Sequence, residues 1–413
     1  MFTLLRNNRN LRLLFIAQII SYLGDWFTFV ALAGLVQDAT GSKLLVSMVL
    51  VALSLPSFVM SPAAGSVADR FDRRRILVSV SLAQAVFAVT LLAAGHGRIW
   101  IVFVSQSLIS ALAAFVNPAI GAAVPNLAKD DDELKTANAV FGSSWGVMLA
   151  VGASLGGAFS AAFGRNAAFV ADAVSFVVAA GLVLLVTGPM QKERTAEQIA
   201  EQSKRVHPID DMREALSHAR RDPVLLALMT SKATFAIGTG IVSQLTVLAS
   251  DVFHGGDGAR GLVLGARGVG AALGPIIAAR YVGRNLSRIV LLCGVAGIAF
   301  AFCYIGAAWS PTLLVATLFI GVAHVGGGAN WTLSTYGLQL RADDAILGRI
   351  LAGDYALFTL ILAIASALAG VASEQLGVRA AITVFAVAAG AAATVYLVLT
   401  QRVRRSLQVT AAS

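Results

Sequence analysis

The sequence predicts an all-α polytopic membrane protein with twelve transmembrane helices arranged as two parallel-repeat six-helix bundles. Three observations carry this. The 413-residue chain is 57% apolar and only 13% charged, with a mean hydropathy of +0.79. A soluble domain averages about 25% charged residues and could not keep this much apolar surface from water. Apolar runs long enough to span a bilayer, which takes ~20 residues, recur twelve times, and one long polar segment divides them six and six.

In chain order the runs lie near 11–36, 44–67, 76–94, 99–122, 136–160 and 166–188, then 223–250, 259–279, 288–307, 312–338, 347–372 and 379–400. The first is no cleavable signal, because Asp25 sits mid-run and the run continues past signal-peptide length. The divisions are an N-terminal bundle over 1–188, a cytoplasmic linker over 189–222 and a C-terminal bundle over 223–413. In the linker Met212, Ala215, Leu216 and Ala219 recur at helical spacing, which predicts a short helix on the membrane surface. Cys293 and Cys303 share one run. Ten residues apart on a helix they are too distant for a disulfide and are expected to face lipid or pack.

Lys and Arg set the orientation. With the N-terminus assigned to the cytoplasm, loops and tails on that side carry 24 of them, against 5 on the other: Lys43, Arg98, Arg165, Arg260 and Arg379. Basic loops stay cytoplasmic, so both termini are expected inside, in the cell's inner (cytoplasmic) membrane. A net charge of +9 would suggest nucleic acid in a soluble chain; here topology accounts for it, and no nucleic-acid partner is expected.

The chain also repeats itself. Residues following Asn117 echo those following Asn330 at an offset of 213, pairing Leu127 with Leu340, Asp130 with Asp343 and Leu134 with Leu347. A second echo sets the segment at Gly65 against that at Gly274, an offset of 209. Parallel repeats of this kind build transporters that bind substrate near the midplane between them.

The segment Gly65-Ser66-Val67-Ala68-Asp69-Arg70-Phe71-Asp72-Arg73-Arg74-Arg75 resembles the loop 2–3 signature G-x-x-x-D-R-x-G-R-[KR]-[KR] of the major facilitator superfamily, with Asp72 at the Gly position. The LGDWFTFVAL run at Leu23–Leu32 and GRILAGDYALF at Gly348–Phe358 are similar to the branch of bacterial enterobactin exporters and macrolide efflux pumps. The resemblance implies a cytoplasmic gate formed by Gly65, Asp69, Arg70, Arg73 and Arg74, with Asp69 docking on the eleventh helix. Asp354, early in that span, is expected to belong to the gate. The resemblance also implies that spans one, four, seven and ten line the cavity.

Ionisable residues within spans are costly and are functional candidates by default. Asp25 leads, about fourteen residues into its run and ~21 Å along the axis. Gln18, Tyr22, Asp25 and Phe29 share its helical face. Asp25 is the expected proton-coupling residue; the alternative is a structural hydrogen-bond partner between helices. Gln106, Ser110 and Asn117 form a polar stripe on the fourth run, Lys232 and Thr239 lie on the seventh, and His324, Asn330 and Trp331 on the tenth. These are the expected cavity residues, although Lys232 could equally snorkel and His324 could equally pack. Asp172 is expected to pair between helices. The segment Gly152-Ala153-Ser154-Leu155-Gly156-Gly157 resembles the superfamily's antiporter motif G-P-x-x-G-G, with Ala153 in the Pro position. Gly270 and Gly274 offer a matching small face, and the two faces suggest packing of helix five on helix eight.

No phosphate-binding loop and no metal-ligand spacing is present in the sequence. The expected function is secondary active export of amphipathic organic compounds (a drug, macrolide or siderophore), with the proton gradient as energy source and no cofactor, metal or enzymatic activity. The protein is expected to be a monomer whose partners are its substrate, protons and the lipid bilayer. A lysophospholipid flippase or importer on the same fold is one alternative; a non-transporting membrane sensor or assembly partner is another.

Overall fold

The computed structural model describes residues 2–191, 217, 220–282, 285–342 and 344–412. Among them the secondary structure is helical, without a strand. The first unit comprises Met1–Thr40 and Ala52–Val206, the second Gly41–Val51 and His207–Ser413. The expected linker helix lies outside the described residues.

The N-terminal helices are α1 (Phe2–Asn7), α2 (Arg9–Thr40), α3 (Lys43–Arg70), α4 (Arg73–Thr90), α5 (Trp100–Ala113), α6 (Val116–Leu127), α7 (Asp131–Phe163) and α8 (Arg165–Leu184). The C-terminal helices are α9 (Pro223–Thr239), α10 (Asp257–Val282), α11 (Leu286–Ala308), α12 (Leu313–Arg341), α13 (Asp344–Leu376), α14 (Val378–Leu399) and α15 (Gln401–Ala412). Among the described residues eleven segments are long and apolar enough to cross a membrane, α5 and α6 together making one of them. Among the described residues α7 adds a further, shorter apolar stretch at Val147–Phe163.

The repeat is visible in the helix boundaries. Four C-terminal helices (α11, α12, α13 and α14) begin 213 residues after α4, α5, α7 and α8, and α7 and α13 are both 33 residues long. The same offset relates Gly164, at φ 85°, to Gly377, at φ 84°. These glycines turn the chain between consecutive helices in a conformation that side chains disfavour. Asp72 and Asn285, also 213 apart, each accept from the backbone amide three residues on, at 2.8 and 3.0 Å, capping α4 and α11. The second echo, at 209, is therefore four residues out of register. Its identical pairs are only Gly65 with Gly274 and Arg75 with Arg284, too few to fix a register.

Each unit buries its own core. In the first, Leu11 and Leu14 of α2 meet Ile76, Leu77 and Val80 of α4 and Val183 of α8. In the second, Leu228 meets Ile289, Val290, Leu333 and Ile350. Outward-facing Val170, Val174 and Val177 stay exposed, as helices in hydrocarbon require. Cys293 and Cys303 are free and buried, which settles them as packing residues.

Residues 41–51, the first turns of α3, cluster with the C-terminal unit because polar contacts hold them there. Ser42 Oγ and the Leu44 amide donate to Glu374 at 2.6 and 3.2 Å. Lys43 lies 3.7 Å from Asp251, and Gln244 donates to Ser47 at 2.5 Å.

Candidate functional site

In the N-terminal unit three of the expected lining residues meet in a chain of hydrogen bonds. Gln18 Nε2 donates to the Tyr22 hydroxyl at 3.1 Å, which donates to Asn117 Oδ1 at 3.0 Å. The i, i+4 spacing of Gln18 and Tyr22 on α2 places both on one face; Asn117 projects from α6. Gln106 is buried, and Ser110 donates to the Leu53 carbonyl at 2.5 Å, so these two join the packing between helices. Phe29 is buried edge-on against Trp26, their ring centroids 5.6 Å apart.

Asp25 is half-buried on the same helix, next in sequence to Gly24, where α2 approaches Asp172 of α8. Asp172 is wholly buried and accepts from Thr28 Oγ1 at 2.6 Å; Ser175 Oγ donates to its backbone carbonyl at 2.7 Å. Gly24 makes this possible. A Cβ there would collide with Ser175 Oγ and lie 2.5 Å from Asp172 Oδ1. The expected pairing role of Asp172 is thus its bond to Thr28. Its neighbourhood with Asp25 escaped the sequence reading, and the signal was the Gly24/Thr28 spacing of four, a small face for a close partner.

In the C-terminal unit, Lys232 neither snorkels nor stands free. Its ammonium pairs with Asp354 Oδ2 of α13, donates to Thr335 Oγ1 at 2.8 Å and lies 4.6 Å from the Trp331 ring centroid. Asp354, the residue expected at the gate, is 2% exposed and held against Lys232 where α13 packs on α9. Two of the expected lining residues pack instead. His324 is buried, with Nε2 2.8 Å from the Tyr304 hydroxyl and its ring edge-on to Phe300. Asn330 is buried and donates to the Cys293 carbonyl at 3.1 Å. Thr239 bonds back to the Ala236 carbonyl at 2.7 Å.

Gly65, Asp69 and Arg70 fall on α3, and their side chains lie outside the described residues. Arg73 donates to the carbonyls of Ala122 and Met190 at 2.8 and 2.9 Å, and Arg74 to that of Gly188 at 3.0 Å. The two arginines therefore tie the start of α4 to carbonyls on α6 and beyond α8, where cations are favoured.

The glycine faces lie close against helices of their own bundles. A Cβ on Gly152 of α7 would lie 2.8 Å from Trp26, and one on Gly156 3.0 Å from the Phe27 Cα, both on α2. Gly157 is buried beside them. On α10, a Cβ on Gly270 would collide with the Gly321 carbonyl, and one on Gly274 would collide with the Val325 carbonyl and lie 2.6 Å from the Ala329 amide, all on α12.

Among the described residues no group of three His, Cys, Asp or Glu side chains is placed to hold a metal ion. What the site offers is polar and ionisable chemistry inside helices, with aromatic surfaces nearby.

The family model described as transmembrane secretion effector matches residues 2–412. The chain belongs to this family of major facilitator transporters. It is similar to the uncharacterized MFS-type transporter YfiS of Bacillus subtilis (strain 168), 24% identical and covering 92% of this chain and 91% of that one. It is also similar to macrolide efflux protein A of Streptococcus pyogenes, 26% identical over 58% of each chain. A bacterial homologue of the human lysosomal transporter Spinster, solved inward-facing and unoccupied, shares the fold with a TM-score of 0.75 at 14% identity, over 95% of this chain and 96% of that one. This transporter is accordingly a multi-pass integral membrane protein with the major facilitator fold.

Proposed function

We propose that this transporter exports small amphipathic organic molecules from the cytoplasm by alternating access, driven by proton antiport, as a monomer with both termini inside. The observation that carries the reading is Asp25, a carboxylate midway along a membrane helix beside the buried carboxylate of Asp172. Carboxylates this close repel when both are charged, and hydrocarbon makes that repulsion costly. Taking up a proton relieves it and releasing the proton restores it, which is the property a coupling site needs. Gln18 and Tyr22 lie two turns and one turn before Asp25 on the same helix and, with Asn117 of α6, supply polar surface for an organic ligand. Similarity to a macrolide efflux protein supports the outward direction and the substrate class.

The test is proton-gradient-driven efflux from vesicles holding the purified transporter, screened over antibiotics, dyes and siderophores, alongside counterflow at zero gradient. Asp25→Asn mimics the protonated carboxylate. It is expected to abolish uphill export while counterflow survives in part, and Asp25→Glu is expected to retain coupling with a displaced pH dependence. Uphill export by Asp25→Asn at the wild-type rate overturns the coupling role. Expression that raises the cellular accumulation of every responding compound overturns the direction.

A further inference from the structure

The Lys232–Asp354 pair is the most enclosed ion pair among the described residues, with side chains 4% and 2% exposed. A buried ion pair seldom stabilises a fold more than apolar residues of the same volume, so its retention at the centre of a helix bundle calls for another reason. The hydrogen-bond inventory supplies one. A lysine ammonium has three donors, and Lys232 directs them at Asp354 Oδ2, at Thr335 Oγ1 and at the face of Trp331. The cation is fully served. Its carboxylate is not: Asp354 Oδ1 is buried and accepts no hydrogen bond from any described residue. The group missing from the site is a donor, and beside a carboxylate a charged donor is favoured.

Aromatic rings cluster on the Lys232 side of the pair, beginning with Trp331. Trp331 meets Phe358 edge-on at 4.9 Å between centroids and Tyr355 at 6.3 Å. Tyr355 is 53% exposed although its neighbour Asp354 is closed off, so the aromatic group has an open side. Rings of this kind hold cations over their faces and accept the apolar body of a ligand equally well.

We propose that Asp354, with Trp331, Tyr355 and Phe358, is the recognition site for a protonated organic amine carried on an apolar or aromatic body, and that Lys232 occupies the ligand's place when the site is empty. The ligand ammonium takes the carboxylate, and Lys232 withdraws to Thr335 and the face of Trp331. This rests on the export reading for its purpose, naming the substrate's charged group, but it concerns binding alone and is tested without a gradient.

The experiment measures energy transfer from tryptophan to two dansyl probes in the purified full-length protein. The probes have the same arm: dansylcadaverine ends in an amine and dansyl-6-aminohexanoate in a carboxylate. The wild type is expected to prefer the amine by about tenfold, as one charge-assisted hydrogen bond provides. Asp354→Asn is expected to remove the preference. Lys232→Gln is expected to tighten amine binding several-fold by deleting the competitor, an effect that a purely structural salt bridge would not produce. Because Asp354→Asn strands a buried lysine, which by itself disfavours folding, the Lys232→Gln/Asp354→Asn double variant is measured too. It carries neither charge and is expected to fold and to bind both probes equally. Equal binding by the wild type, a preference for the carboxylate, or an amine preference surviving in the folded double variant overturns the proposal. Gradient-driven efflux, measured separately, shows whether the export reading fails with it.

Discussion

At the scale of single residues the N-terminal unit depends on having nothing at position 24. Thr28 and Asp172 can bond at 2.6 Å only because α2 and α8 approach where Gly24 has no side chain. Gly24→Ala is expected to lower stability by ~1–3 kcal/mol, the usual range for overpacking a filled interface, and Gly24→Val by more. The measurement is thermal unfolding of the detergent-purified variant. Gly24→Ala combined with Ser175→Ala removes the atom that collides first and should recover part of the loss; an unchanged midpoint in Gly24→Ala would show that the helices are not in contact there. Asp25 was legible in the sequence because a carboxylate inside an apolar run stands out by composition alone. Its proximity to Asp172 was not, since that depends on which helices touch and at what depth. The same reason hid the partner of Lys232. Position along the run suggested snorkelling, whereas the packing of α13 on α9 decides where the ammonium ends.

At the scale of elements the sequence carried the helices and much of their repeat, but not every register. The echo at 213 was anchored by charged and turn-forming residues, which are rare within apolar runs and hence informative. The echo at 209 rested on one glycine pair and one arginine pair, too few to fix an alignment. Caps resolve it: Asp72 and Asn285 occupy equivalent positions at the starts of α4 and α11. The acidic residue standing in the signature's glycine position is thereby explained as a helix cap. Asp72→Ala and Asn285→Ala are each expected to cost ~0.5–2 kcal/mol, while Asp72→Asn, which preserves the acceptor, should be close to neutral. Parallel melting curves of the three variants check this, and a loss in Asp72→Asn equal to that in Asp72→Ala would place the effect in charge rather than capping.

At the scale of the whole molecule the expected orientation rests on the asymmetry of Lys and Arg, and it can be read directly. Both native cysteines are buried, so engineered ones can be labelled against a low background. His96 and Lys129 are exposed, in the connections that follow α4 and α6 respectively. An impermeant maleimide is expected to label His96→Cys in intact cells and Lys129→Cys only after permeabilisation; the reverse pattern would invert the topology. Fold class and span number followed from hydropathy because a bilayer leaves a chain few alternatives. The glycine faces were recognised too, though not their neighbours within each bundle, because a stripe of small residues says that a helix is close without saying which. Their actual position has a consequence for traffic through the lipid. Along Gly270 and Gly274 the backbones of α10 and α12 touch, leaving no crevice wide enough for an acyl chain. A hydrophobic molecule diffusing in the leaflet meets a sealed wall at that seam. If compounds are drawn sideways out of the bilayer, their doorway has to lie between other helices, and widening this seam should not create one without first separating the helices that form it.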